Sequence, residues 1–181
     1  MDLSKAHHFF QSRFRTAQGL EFQAQLLAAP MEESSVYFFL PRRLLKLDAA
    51  SPVQAGHVVT SLTSGHTWLT AENGPSEYQG REIYKSLKLF EVTDPAATWK
   101  VTGTSKDPIT GLDKKGAPTT QPPIPVVIEF MKMQEDEMRI GADLVRIIAT
   151  APIAIGDRIN TYVIQNVEFQ LGLYFATAKR Q

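Results

Sequence analysis

From Ile159 onward the chain alternates. Ile159, Thr161, Val163, Gln165, Val167, Phe169, Leu171, Leu173 and Phe175 occupy one phase, and Asn160, Tyr162, Ile164, Asn166, Glu168, Gln170, Gly172, Tyr174 and Ala176 the other. A period of two held for so long fits an extended strand or hairpin with one buried face. The run is too long for one ordinary strand, so it predicts a turn near Gln165–Asn166 or a bend at Gly172. The apolar phase places Val167, Phe169, Leu171, Leu173 and Phe175 inward. A core strand this close to the C-terminus must be tied into the sheet.

Two further stretches read alike, a hundred residues apart. Ser51–Thr60 is SPVQAGHVVT and Ala151–Asn160 is APIAIGDRIN. Each runs small residue, Pro, aliphatic, two residues, Gly, two residues, aliphatic. Both are expected to be turns feeding β-strands, either as independent turns or as the remnant of an internal duplication.

Other segments extend the β reading. Val58–Leu62 and Thr67–Leu69 predict a hairpin turned at Ser64–Gly65, and Asn73–Gly74–Pro75 reads as a turn. Arg81–Asp94 mixes β-branched, aromatic and charged residues as a strand does. At the N-terminus Leu3, Ala6, Phe10, Phe14 and Ala17 fall three or four apart, which predicts a helix from Asp2 to about Gln18. Residues 94–125 hold six of the eleven prolines and three of the eleven glycines. Proline lacks the ladder donor, so this segment is expected to be a long inserted loop. The resulting fold class is mainly β: a small antiparallel β-barrel or sandwich with an N-terminal helix and an inserted Pro/Gly-rich loop. Residues 1–50 would form the helix and a leading strand, and residues 51–181 the barrel domain.

Composition narrows the function. Nineteen basic residues balance nineteen acidic ones, so no global basic field marks a dedicated nucleic-acid binder. No apolar run reaches the roughly 18 residues that cross a bilayer, and the first ten residues lack the apolar core of a secretion signal. Cysteine is absent, which excludes disulfides, thiolate metal sites and Cys nucleophiles. No nucleophile elbow, phosphate loop, dinucleotide fingerprint or zincin motif occurs. Glu135–Asp136–Glu137 reads as a solvated turn, and His57 and His66 flank the predicted hairpin without a third metal ligand. No catalytic, cofactor or metal residue is expected, and the chain reads as a non-enzyme.

Ala151–Lys179, with its Gly156–Asp157 turn, alternating strand and late Leu171–Gly172–Leu173–Tyr174, resembles the closing section of tailed-bacteriophage head-completion (stopper) and head–tail connector proteins. Val53–Gly74 is similar to their first hairpin. The resemblance implies a structural virion protein of the phage neck. It would form a homo-oligomeric ring against the portal or adaptor ring, meet tail or tail-terminator proteins, and contact genomic double-stranded DNA in the channel. It implies localisation to the virion after synthesis in the host cytoplasm, and no membrane. A tail-terminator or tail-tube subunit, and a small β-barrel enzyme or ligand-binding domain, stand as alternatives. Partner contact is expected on the inserted loop, where Trp99, Ile109 and Leu112 supply apolar anchors and Lys100, Lys106, Lys114 and Lys115 supply charge.

Overall fold

The computed structural model describes residues 11–28, 43–78, 81–106, 113–130 and 144–181, and every structural statement below concerns these. They are mainly β, in twelve strands that form two closed antiparallel barrels.

The first barrel comprises β1 (Gln11–Thr16), β2 (Glu21–Ala28), β3 (Arg43–Asp48), β4 (Val58–Ser61), β5 (Thr67–Tyr78) and β6 (Arg81–Glu91), in the order β1-β2-β3-β6-β5-β4. The second comprises β7 (Asp94–Lys106), β8 (Asp113–Phe130), β9 (Leu144–Ala149), β10 (Arg158–Ile159), β11 (Tyr162–Gln170) and β12 (Leu173–Arg180). Its order, taken from β7, is β7-β8-β9-β12-β11-β10, which is the first barrel's order repeated. The chain divides between Val92 and Thr93, with Leu171–Leu173 counted in the first unit. The boundary therefore lies far from residue 50, and there are two barrels instead of one.

The two similar sequence blocks occupy equivalent places. Each connects the third strand of its barrel to the fourth. The backbone repeats bond for bond: Gly56 N–H donates to Thr70 O (2.7 Å) and Thr70 N–H to His57 O (2.9 Å), while Gly156 N–H donates to Ile164 O and Ile164 N–H to Asp157 O, both at 2.9 Å. Gly56 and Gly156 have φ of 84° and 90°, where a Cβ would be strained. The match extends back through the preceding strands. Leu44–Val59 and Leu144–Ile159 share Leu, Ala, Pro and Gly at four positions, and Leu45/Val145, Leu47/Ile147, Val53/Ile153 and Val59/Ile159 are all core residues of their barrels. Lys46 lies over the Tyr84 ring at 3.4 Å and Arg146 over the Phe175 ring at 5.9 Å, again at matching positions. Shared order, turn bonding and core register together make the second barrel a structural repeat of the first.

The two cores are filled differently. The first packs Phe14 against Phe22 (centroids 5.6 Å) and Trp68 (6.2 Å). The second is built from Val126, Val145, Ile147, Ile153, Ile159, Ile164 and several alanines.

The predicted N-terminal helix does not occur over Gln11–Thr16, which is β1; residues 1–10 lie outside the described residues. Pairing with both β2 and β4 satisfies the β1 backbone, and Phe14 and Thr16 point inward while Arg13 and Arg15 stay exposed. Helical spacing and strand alternation share Phe10 and Phe14, and the tertiary ladder decides between them. Asn73–Gly74–Pro75 is not a turn either. It lies within β5, at a register shift between Glu72 and Pro75.

The expected loop over 94–125 is mostly a β-ribbon formed by β7 and β8, paired from Asp94↔Val126 out to Lys106↔Asp113. The prolines are accommodated in two ways. β9 pairs with Val126–Phe130, so among the described residues the preceding part of β8 has β7 as its sole strand neighbour and half of its donors are not needed there. Pro122, Pro123 and Pro125 also fall opposite the register shifts at Ala97–Trp99 and Asp94–Ala97.

The inward phase expected near the C-terminus is corrected as well. Phe169 is 63 % and Leu171 43 % exposed, and the second core takes Ile164, Ala176 and Ala178. Leu173 is buried as expected. The turn falls at Leu171–Gly172, with φ of 52° and 81°.

Candidate interaction ribbon

The equivalence of the barrels defines where the ribbon was inserted. Thr16 faces Val59 across β1 and β4, as Trp99 faces Ile159 across β7 and β10. In the first barrel Ala17–Gly19 joins Thr16 to Leu20, closed by Thr16 N–H donating to Leu20 O at 2.9 Å. In the second, Lys100–Thr120 joins Trp99 to Gln121. A three-residue turn in one copy is thus a long ribbon in the other.

The ribbon's base is fixed by Asp157, a carboxylate only 2 % exposed. One oxygen accepts from Trp99 Nε1 (3.1 Å) and Ala154 N–H (3.0 Å), the other from Thr102 N–H (3.4 Å). Thr102 Oγ1 donates to Gly156 O at 3.0 Å. On the other side of β10, Asn160 adopts φ 53°, accepts from Thr98 N–H (2.8 Å) and donates to Asp94 (2.8 Å). A buried carboxylate with several donors is stable because each hydrogen bond replaces lost hydration. Asp157 and Asn160 flank β10 and pin β7 to it. Neither stood out in the sequence beyond the Gly-Asp turn, although Asp after Gly and Asn before Thr are the short polar types that fasten turns.

The residues expected to contact a partner divide as follows. Trp99 is half-buried against the second core, so it anchors the ribbon's base. Lys100 is exposed, and its cross-strand neighbour on β10 is Arg158. Among the described residues neither makes an ion pair. Lys106, Lys114 and Lys115 lie on the ribbon, with Lys114 opposite Ser105 and Lys115 opposite Thr104. Ile109 and Leu112 lie outside the described residues. Ala117–Thr120 are exposed at every position, while Val101 and Thr102, which pair with Thr119 and Pro118, are half-buried.

No alternative chemical centre competes among the described residues. No three His, Asp or Glu side chains converge as metal ligands. His66 pairs with Glu91 at 2.8 Å and stacks on Trp68, while His57 Nδ1 is buried without a hydrogen-bond partner. No family model, curated protein or solved structure is significantly similar to the chain.

Proposed function

We propose that this is a structural assembly protein, a subunit of a homo-oligomeric ring in the neck of a tailed bacteriophage, with the β7–β8 ribbon as its arm. The observation that supports this reading is the asymmetry of the repeat. One of two equivalent hairpins is a tight turn and the other a ribbon whose residues Ala117–Thr120 are exposed in succession. A two-stranded ribbon alone in water is marginally stable, so its order is best repaid when a neighbour covers it. Rings built from repeated head-to-tail contacts require such a reaching element and a complementary surface on the next subunit. The closed barrels supply a rigid base, since a closed sheet leaves no free edge within the barrel wall.

The first barrel supplies the test. Lys100–Thr120 is replaced by Ala-Gln-Gly, the sequence that joins Thr16 to Leu20. The shortened protein should fold with a cooperative melt and remain monomeric when mixed with portal complexes, while the complete chain adds a ring visible by negative-stain microscopy. If the shortened chain assembles as well as the complete one, the ribbon is not the arm. If the complete chain forms no ring with any portal, the neck assignment falls.

A further inference from the structure

We propose that the second barrel carries a docking surface, formed by Ile155, Gly156 and Asn166, that receives the end of the β5–β6 hairpin of a second copy of this chain. The contact is additional to the ribbon, and it rests on the assembly reading only for its biological setting.

The two equivalent turns show the same surface once covered and once open. Residues 51–60 and 151–160 agree in burial at most positions: Val53 and Ile153 are buried, as are Val59 and Ile159, while Pro52 and Pro152 are exposed. They part at two places. Asp157 is buried where His57 is half-buried, because it fastens the ribbon. Ala55 is half-buried where Ile155 is 68 % exposed. A single exposed apolar side chain is ordinary, and exposure alone would carry nothing. What marks Ile155 is that its counterpart is covered.

The cover of Ala55 is visible. Leu171–Leu173 is counted in the first unit. Glu72 N–H donates to Leu171 O at 3.0 Å. A Cβ on Gly172 would stand 2.7 Å from the Ala55 Cβ, and one on Gly56 would stand 3.0 Å from Gly172 O. A Cβ on Gly156, by contrast, meets nothing within 4 Å. The turn bonding makes Thr70 and Ile164 equivalent, so Asn166 holds the place of Glu72, and Asn166 is exposed. Isoleucine for alanine holds an incoming chain further out and gives it more apolar area to cover.

The repeat also identifies the occupant. The segment over Ala55 links the fifth and sixth strands of the second barrel. Its counterpart links β5 to β6, where Tyr78 pairs with Arg81. The linking residues are Leu171–Gly172 in one case and Gln79–Gly80 in the other, each a residue followed by glycine. The contact at Ala55 and Glu72 uses the backbone carbonyls of Leu171 and Gly172, so it does not depend on the side chains in which the hairpins differ. Leu171–Leu173 is already engaged, which leaves the β5–β6 hairpin. Ile155 is open within the chain, so that hairpin comes from a second copy. A hairpin of one subunit on the second barrel of the next is a heterologous contact, the kind that propagates head to tail.

The test is disulfide trapping between separately purified single variants, one carrying a mass tag. The chain has no cysteine of its own, so every cross-link reports the introduced pair. A disulfide forms only where the two backbones come close. Ile155→Cys mixed with Gln79→Cys should give at least tenfold more covalent dimer under mild oxidation than Phe130→Cys mixed with Gln79→Cys. Phe130 is 71 % exposed on the same barrel and serves as the collision background. Circular dichroism melts confirm that each variant is folded, and Arg81→Cys replaces a Gln79→Cys that is not. Equal yields in the two mixtures overturn the proposal. So does Ile155→Cys pairing with itself as readily as with Gln79→Cys, which would make the contact two-fold. The same trapping in chains with Lys100–Thr120 replaced by Ala-Gln-Gly should give the same ratio. Failure of the ribbon to build rings therefore leaves this contact standing, and absent trapping in a chain that still forms rings removes this contact alone.

Discussion

The indole N–H of Trp99 donates to the buried carboxylate of Asp157 at 3.1 Å, joining the first strand of the second barrel to the turn that opens its fourth. Two backbone donors, Ala154 N–H and Thr102 N–H, share that carboxylate. Asp157→Ala strands all three; a fully buried donor left unpaired costs on the order of 1–3 kcal/mol, and each costs less here because Trp99 and Thr102 are half-buried and Ala154 is exposed. Urea unfolding should therefore show a loss of roughly 2–4 kcal/mol, partly regained in Asp157→Asn, which keeps one acceptor oxygen. Unchanged stability in Asp157→Ala would mean that water takes over the three bonds.

Phe14 and Phe169 are a matched test of which residues form the cores. Phe14 is fully buried and Phe169 is 63 % exposed. Phe14→Ala should cost about 3–5 kcal/mol, through lost burial and the cavity left behind. Phe169→Ala gives up its ring contact with Tyr174 and should cost less than about 1 kcal/mol. Similar losses in both would restore the phase expected from the alternation.

Gly172 and Gly19 both have left-handed backbones, at φ 81° and 87°, but their surroundings differ. A Cβ on Gly19 meets nothing within 4 Å, whereas one on Gly172 stands 2.7 Å from the Ala55 Cβ. Gly19→Ala should cost about 1–2 kcal/mol from backbone strain alone. Gly172→Ala should cost more by about 1–3 kcal/mol, because the neighbouring chain must also move. Thermal melts of the two variants measured together check the ordering.

Glu21 accepts from Arg15 and Arg13, and those hydrogen bonds, Arg15 first, hold its carboxyl below the range of an ordinary glutamate. A depressed folded-state value stabilises the protein above the unfolded-state value, and the contribution is lost as pH falls through the folded one. Carboxyl NMR titration in low salt should place the Glu21 midpoint low and move it upward in Arg15→Gln. High salt should narrow the gap, since the pair is exposed. A midpoint unmoved by Arg15→Gln would contradict the assignment.

Much of the β architecture was legible in the sequence. The turn at Ser64–Gly65 follows from Gly65, whose φ is 72°, and Gly56 and Gly156 stand just before strands as their shared pattern predicts. The second barrel was hidden because its hairpin equivalent to β1–β2 carries a long insertion, which breaks the spacing on which recognition of a repeat depends. The ribbon was hidden because proline content argues against a strand, unless one edge is open and the register slips opposite the prolines. The inward phase failed first within β11, where Ile164 is in the core, Val167 three residues on packs against it, and Phe169 is exposed. A two-residue turn places Phe169 and Tyr174 on the same face, with their rings 4.8 Å apart, so parity cannot be carried through it. Of the candidate site, the lysines could be read from composition. The opposition of Lys100 to Arg158 could not, because it joins residues from separate strands.

The prolines of β8 have a further consequence for a chain that carries such a ribbon in water. Pro118, Pro122, Pro123 and Pro125 have no N–H, and because adjacent positions such as Pro122 and Pro123 point to opposite edges, a stray strand laid along the outer side of β8 would meet gaps in its row of donors. Cross-β stacking needs an unbroken row of donors, and this row is interrupted over the very stretch that borders only β7. The residues that make the ribbon look least like a strand thus act as gatekeepers, letting it remain exposed without seeding aggregation.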